Sequence, residues 1–403
     1  MANQNALEPV LFVPGEFTLH GVRHGTAAAA PAAAPPLGPL AAFVGNFTGQ
    51  GFNTIFRPDN PVTPTAFTPP IASDNVLELN LTQETLSFSK PLGSVPNRGS
   101  NAQGNIFLNG VPYLQTINDV TTLPATGIHF EPGIWLNIPA TTQPAEPVTL
   151  ARMASIPHGT TIEAQGTLVA TVKGGPVLNP VSITPFVIGD PTKLVTFPSQ
   201  TASDATTPRI PQDLSPFIAE GTITQAMLTD PNTVLRNQVA NQTITQTEVI
   251  FISTNPAAPL PGGPLPAAPL TPNFGGGTDN VAFLLGDQSS GTPGPNAQSF
   301  QMDAIFWIET VEYEVLVPPL HPGAHPVILE PVQPSVPVPL VPRFSASIPA
   351  HHKPFPGRAV TISTTQIQYS QKVLLNFHGL SWPHASVASL VPADPIVIPV
   401  DLL

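Results

Sequence analysis

The chain has 403 residues, a formal net charge of −12 and no cysteine, and only 9% of its residues are charged. Because about 25% is usual, this low charge together with 41% hydrophobic residues excludes an intrinsically disordered chain. The 13 basic residues form no cluster, which argues against nucleic acid as a partner. The lack of cysteine excludes disulfides and thiolate metal ligands, and 54 prolines with 30 glycines argue against long helices.

Residues 1–40 are predicted to form an extended arm that ends in an Ala/Pro linker. Residues 10–13 and 17–19 each favour a short strand. Prolines interrupt the alanine-rich stretch 26–43, so it falls short of the roughly 20 uninterrupted apolar residues of a membrane helix. Residues 1–8 lack a basic segment followed by an apolar core, so no secretory signal is evident. We therefore expect a cytoplasmic protein without a transmembrane segment, with export by another route left open.

From residue 40 onward the sequence has the alternation that is typical of β-strands. In residues 76–82, Leu77, Leu79 and Leu81 share one face and polar residues share the other, which predicts a half-buried strand. Further strands, separated by Gly, Pro and Asn turn signals, are predicted over residues 106–108, 113–117, 127–138, 149–156, 161–172, 182–188, 243–253, 281–285 and 299–317.

Helix is favoured only in residues 213–229, with a shorter helix possible in 232–239. Gly221 and the β-branched residues that follow it make a strand from residue 221 onward almost as favourable. Strands without helical crossovers pair antiparallel, and closure into a barrel removes the exposed edges of such a sheet. The sequence therefore predicts an all-β fold whose centre is an antiparallel β-barrel over residues 41–317.

Two other segments complete the predicted organisation. The glycine-rich residues 45–53 are expected to provide the close backbone approach that barrel closure needs. Alternation of Pro with Val and Leu makes residues 318–358 a stiff, proline-rich linker. Residues 359–403 resume strand character and are predicted to be an accessory C-terminal β element.

Two segments resemble a known group of barrels. Residues 45–51 (Gly-Asn-Phe-Thr-Gly-Gln-Gly) open the strand region, and residues 127–136 (Gly-Ile-His-Phe-Glu-Pro-Gly-Ile-Trp-Leu) form a later strand segment. Together they are similar to the calycin-type barrels of the nitrobindin group, in which a small barrel holds heme. The resemblance implies a calycin-like barrel.

A longer run resembles a bacterial family of heme-binding proteins of about this chain's length. It extends from residues 110–115 through 152–161 (Arg-Met-Ala-Ser-Ile-Pro-His-Gly-Thr-Thr). The similarity covers most of residues 40–390, including residues 306–312 and 381–384. It implies a heme cofactor, with peroxidase-like or nitrogen-oxide chemistry at its iron.

Candidate iron ligands come from ten histidines. Nitrobindin-like barrels place their axial histidine on a late barrel strand, yet residues 299–317 contain none, and covalent heme attachment needs cysteine. If heme is bound, its ligand must come from elsewhere. We predict His158, at a strand-to-strand corner, as the axial ligand, with an exposed turn histidine as the alternative. His129 is either a residue on the distal side of the heme or a structural histidine, and His384 is a further candidate.

Arg152, Met153 and Trp135 complete the predicted heme site. The planar guanidinium of Arg152 suits a heme propionate; the alternative is a surface arginine paired with Glu146 or Glu163. Met153 and Trp135 are candidate apolar lining residues, although most aromatic residues in strands belong to the core.

Two classes of function stay open at the level of sequence. The first is a barrel that binds heme or another small apolar ligand, in which any catalysis belongs to the heme. The second is a structural or assembly protein, such as a capsid-like or surface-fibre subunit that forms a homo-oligomer; the Pro-, Thr- and Asn-rich composition favours it. Glu312 and Glu314 point to the same face of their strand and Glu309 to the opposite face, and a charged outer face explains these carboxylates better than a hydrolase pair.

Overall fold

The computed structural model describes residues 33–59, 73–99, 102–143, 145–255, 276–285, 297–336 and 338–403. Of these residues 53% lie in strands and 10% in helices, which confirms the all-β class. Residues Ala34–Leu403 form one compact unit. The predicted arm strands at residues 10–13 and 17–19 lie outside the described residues.

Ten antiparallel strands close into a barrel, as predicted. In chain order they are β1 (Gly45–Pro58), β2 (Asn75–Phe88), β3 (Ile106–Asp119), β4 (Thr126–Ile138), β5 (Thr149–Ile156), β6 (Thr160–Lys173), β7 (Thr243–Ser253), β8 (Gln298–Val317), β9 (Arg358–Phe377) and β10 (Leu380–Pro392). Each strand pairs with the next, and β10 returns to pair with β1, from Phe47 opposite Pro392 to Thr54 opposite Ala385.

Two glycines of β1 allow this closure. A Cβ atom at Gly49 would lie 2.1 Å from the carbonyl oxygen of Ser389, and a Cβ atom at Gly51 would lie 2.2 Å from that of Val387. Only residues without a side chain permit β1 and β10 to approach this closely. The predicted role of the glycine-rich segment in barrel closure is therefore confirmed.

The remaining elements are short. The helices are α1 (Ser215–Glu220), α2 (Gln225–Thr229), α3 (Thr233–Val239), α4 (Ala282–Leu285) and the 3-10 helices Gly38–Phe43, Pro198–Gln200 and Val400–Leu402. The short strands are Val95–Asn97, Thr141–Thr142, Ala145–Glu146, Phe186–Val187, Asp190–Leu194, Arg209–Ile210, Gly277–Asn280, Val327–Leu329, Phe344–Ala346 and Ile396–Val397. No helix in the described part of the chain is long and apolar enough to span a membrane.

Two local predictions differ from the structure. The strand predicted at residues 281–285 is wrong, because most of this segment forms α4. The helix predicted over residues 213–229 is instead two helices, because Gly221 adopts a positive φ of 73° and ends α1.

All ten strands contribute side chains to one apolar cluster, which identifies it as the barrel interior. The 3-10 helix Gly38–Phe43 adds the fully buried Leu40 and Phe43 to this cluster. The Phe43 ring lies 4.9 Å from that of Phe88 and 5.5 Å from that of Trp135, between centroids. Residues 38–43, predicted to belong to a linker, are therefore part of the barrel core.

A second apolar cluster covers the outer face of the barrel, beneath the segment 174–242 that contains α1 to α3. Leu77 and Leu79 of β2 are fully buried in it. Leu86 of the same strand belongs to the interior cluster. Successive residues of a strand point to opposite faces, so the even-numbered positions of β2 face the interior and Leu77 and Leu79 face outward. The apolar face of β2 therefore points outward, and its polar face points into the barrel.

The C-terminal strands complete the barrel rather than forming an accessory element. Strand β9 pairs with β8 along its length, and β10 closes on β1. The barrel domain predicted to end at residue 317 thus lacks two of its strands, because these are separated from β8 in sequence by the proline-rich segment.

The proline-rich segment 318–358 packs against the barrel strands. Its residues Leu320, Phe344 and Phe355 are buried in a cluster with Val315 of β8 and Val360 of β9. Proline weakens strand pairing, which led to the prediction of a linker. The apolar side chains between the prolines nevertheless supply enough surface to pack onto the ends of β8 and β9.

Candidate functional site

The polar end of the barrel interior contains a buried ion pair. Arg152 on β5 is 2% exposed and Glu131 on β4 is 0% exposed, and Arg152 Nη2 lies 2.5 Å from Glu131 Oε1. Arg152 Nε donates to the Tyr113 hydroxyl at 2.8 Å, and Nη1 donates to Gln371 Oε1 at 2.8 Å. Tyr113 in turn donates to Glu131. Every side of the guanidinium is therefore engaged inside the barrel.

The ion pair sets the protonation of its members. Burial raises the pKa of Glu131, but the Arg152 charge, together with His129 and the hydrogen bond from Tyr113, outweighs burial and lowers the pKa to about 2. Burial disfavours the Arg152 cation, yet the Glu131 charge raises the Arg152 pKa above its usual value. Both groups are consequently charged at neutral pH, as a buried pair must be to offset its lost hydration.

Glu84 on β2 is a second buried carboxyl group in the interior, without a cation in contact. It accepts hydrogen bonds from Thr82 Oγ1 at 2.8 Å, from the Tyr369 hydroxyl at 2.6 Å and from Gln115 Nε2 at 3.3 Å. Burial raises the pKa of Glu84, and the hydrogen bond from Tyr369 opposes that rise. The hydrogen bonds join β2 to β9 and β3, so this network crosses the barrel interior.

Two histidines lie where the network reaches the barrel end. His129 Nε2 is 3.0 Å from Glu131 Oε2, and its side chain is 18% exposed. The ring centroids of His129 and His158 are 5.7 Å apart. His158 is exposed in the turn between β5 and β6, and its ring lies against the backbone of Ile128 on β4. Partial burial, followed by the His129 charge, lowers the pKa of His158. We call His129, His158 and the neighbouring His384 the histidine end.

The predicted site residues divide between four locations. His129 and His158 lie together at the histidine end. Arg152 is buried in the interior and pairs with Glu131, so the alternative of a surface arginine is wrong. Trp135 is 1% exposed and packs with Phe43 and Phe88 in the aromatic part of the interior, which we call the apolar end.

Met153 lies on the outer face of the barrel, because it follows the inward-facing Arg152 on the same strand. Arg152 is fully bound, and aromatic side chains fill the apolar end. A heme enclosed in the barrel by Arg152, Met153 and Trp135 therefore does not fit these residues. His129 and His158 are the predicted residues that remain accessible from outside.

Four interior residues were not selected from the sequence, namely Glu84, Tyr113, Glu131 and Tyr369. Glu131 shares the strand face of Trp135, at a separation of four residues, so strand alternation provided a signal for it. The pairing of Glu84 with Tyr369 spans 285 positions and has no local signal.

A third buried carboxyl group lies outside the barrel interior. Glu309 on β8 is 1% exposed, and its Oε2 accepts from Gln366 Nε2 at 2.5 Å. Burial raises the pKa of Glu309 to about 8. Glu309 is therefore not part of an exposed charged face, because α3 and residues near Leu340 cover this part of the barrel through Gln238.

The fold and site define a closed, ten-stranded antiparallel β-barrel with a charged hydrogen-bond network inside. No protein-family model matches the chain, and no curated protein matches it significantly. The structure titled "Crystal Structure of Rv2717c from M. tuberculosis" aligns with 91% of this chain and 100% of that chain, at 10% sequence identity and a TM-score of 0.32. A likeness this low carries no argument about function.

Proposed function

We propose that the protein is a ligand-binding β-barrel whose site is the histidine end, and that its ligand is a heme bound by His158 at the rim. The observation that carries the proposal is the state of the His158 ring. The ring lies against the Ile128 backbone of β4, and a neutral imidazole that directs one nitrogen at this backbone keeps a lone pair on the other. Metal-binding histidines are oriented in this way. The lowered pKa keeps the imidazole neutral, as a metal ligand must be.

The surroundings of His158 suit a flat apolar ligand. Val281, whose N–H donates to the Gly159 carbonyl at 2.8 Å, is 49% exposed, and Phe130, near Ile128 on β4, is 48% exposed. Apolar side chains that stay exposed beside one polar group are typical of ligand sites.

A heme needs only one ligand from the protein, since the porphyrin supplies four. Across the described ranges, no three His, Cys, Asp or Glu side chains form a group able to hold a metal ion. A single histidine is therefore compatible with heme and not with a bare ion bound by several residues. The choice of heme over another flat ligand rests on the sequence resemblance, and any peroxide or nitrogen-oxide chemistry would be supplied by the heme.

The test is a hemin titration followed by absorbance in the Soret region. We expect the wild-type protein to shift the Soret band of hemin, and His158→Ala to lose that shift while keeping its β-rich circular dichroism spectrum. His321→Ala, at an exposed position remote in sequence from the histidine end, is the matched control and should bind as wild type.

Other outcomes would contradict the proposal. If wild-type protein leaves the hemin spectrum unchanged, heme is not the ligand; if it also elutes as a large assembly, the structural alternative is favoured. If His158→Ala binds like wild type and His129→Ala does not, the axial ligand is His129.

A further inference from the structure

His384 on β10 has one ring nitrogen that no side chain of the barrel engages. Its Nδ1 atom is buried and has no hydrogen-bond partner among the described residues. Its Nε2 atom lies 3.3 Å from Asn53 Nδ2 and 3.4 Å from Ser386 Oγ. Buried polar groups in proteins are almost always hydrogen-bonded, so an unused one calls for an explanation.

The neighbouring amides decide which ring nitrogen carries the proton. Asn80 Nδ2 donates to Asn53 Oδ1 at 3.5 Å, and Asn53 Nδ2 donates to Ser386 Oγ at 2.7 Å. The Asn53 amide therefore presents its nitrogen, a donor, to His384 Nε2. Because Nε2 accepts this hydrogen bond, the neutral imidazole carries its proton on Nδ1. The unused atom is thus a buried N–H donor.

The donor keeps its proton on Nδ1 over a wide pH range. Burial lowers the pKa of His384 to about 3, and the charges of His129 and His158 act in the same direction. Protonation of the ring is therefore suppressed at physiological pH, and His384 acts as a neutral donor.

The ring faces the barrel interior. His384 and Ala388 occupy the same face of β10, and Ala388 belongs to the interior cluster. The effect of His129 on the pKa of His384 acts across the interior, because β4 and β10 are not neighbouring strands. The Nδ1–H group therefore lies inside the histidine end.

We infer that His384 is a further ligand-binding residue, whose Nδ1–H donates to an uncharged acceptor, such as a carbonyl oxygen, of a small molecule that enters through the histidine end. The acceptor is uncharged because the Arg152 cation is already paired with Glu131 and bonded to Tyr113 and Gln371, so a buried anion would lose its hydration without gaining this counter-charge. The inference holds with or without heme at the rim.

Nuclear magnetic resonance of the 15N-labelled histidine rings tests the inference on heme-free protein. In wild type we expect the Nδ1–H form of His384 to persist without titration between about pH 5 and 8. Acetone, which has a carbonyl oxygen and no N–H or O–H donor, is the probe. It should shift the His384 Nδ1–H signal and leave the ring signals of His321 unchanged.

Two variants sharpen the result. His384→Phe should remove the acetone-sensitive signal, and Asn53→Leu should move the proton to Nε2 and abolish the response to acetone. An Nε2–H form in wild type overturns the inference without any variant, and so does an unshifted Nδ1–H signal at high acetone concentration. Because no heme is present, failure here is distinct from failure of the hemin titration.

Discussion

The apolar end and the polar end of the barrel interior are built by the same strands but stabilised in different ways. At the apolar end, Phe43, Phe88 and Trp135 contribute roughly in proportion to the apolar area they bury, about 25 cal/mol per Å². At the polar end, Arg152 bonds to Tyr113 and Gln371, but its charge is balanced by the carboxylate of Glu131. The polar end is therefore the more fragile of the two, because removal of one partner leaves a buried charge unpaired.

The largest expected effect comes from Arg152→Met, which keeps much of the side-chain volume and removes the charge. We expect a loss of about 3–5 kcal/mol in the free energy of unfolding, measured by urea denaturation, because Glu131 stays buried without its cation. Arg57→Met is the matched control. Its guanidinium pairs with Glu78 at 3.0 Å on the surface, with the Arg57 side chain 46% exposed, and it should cost less than about 1 kcal/mol.

The double variant Arg152→Met with Glu131→Gln should recover much of the loss, because no unpaired charge remains. Equal losses for Arg152→Met and Arg57→Met would show that the polar end is no more fragile than the surface.

A smaller, opposite effect is expected at Glu309, a buried carboxyl group without a cation. Its pKa is about 8 in the folded protein against 4.5 in the unfolded chain. Below pH 4.5 both states are protonated. Above it the unfolded chain loses the proton and the folded protein keeps it, so wild-type stability falls as the pH rises from 4.5 to 8.

Glu309→Gln should therefore raise the free energy of unfolding by about 1–3 kcal/mol at pH 7. It should also flatten the dependence of stability on pH in that range, as measured by urea denaturation at several pH values. A variant that is less stable than wild type at pH 7 would mean that the Glu309 carboxyl group is required in its ionised form.

The smallest effect is expected from Phe43→Leu at the apolar end. A shape change between apolar residues without a buried charge should cost about 1–2 kcal/mol. Thermal unfolding followed by circular dichroism measures it. A loss as large as that of Arg152→Met would remove the distinction between the two ends.

Strand alternation in the sequence was sufficient to locate strands. Strands β5 and β7 match their predicted ranges, residues 149–156 and 243–253, at both ends. Alternation with a period of two depends on neighbouring residues alone, so it can be recognised without knowledge of the fold. The proline and glycine content argued against long helices, and together with this alternation it predicted the all-β class.

Which face of a strand points inward was decided only by the tertiary structure. Leu77 and Leu79 of β2 indicated a buried face, but the segment 174–242 covers that face from outside, and Glu84 of the same strand points into the barrel. A period of two distinguishes two faces without assigning either to the interior. For the same reason Met153 was predicted to line the heme site, although it lies on the outer face of the barrel.

The candidate site was predicted in part for the same physical reason. His129 and His158 were selected among ten histidines because an imidazole can bind a metal without help from distant residues, and because both lie in segments that resemble the heme-binding barrels. The partners of Arg152 and Glu84 come from strands far away in sequence, with Gln371 lying 219 positions from Arg152. Barrel closure brings these distant strands together. The sequence alone shows which side chains can ionise, whereas only the folded barrel shows which of them are buried together.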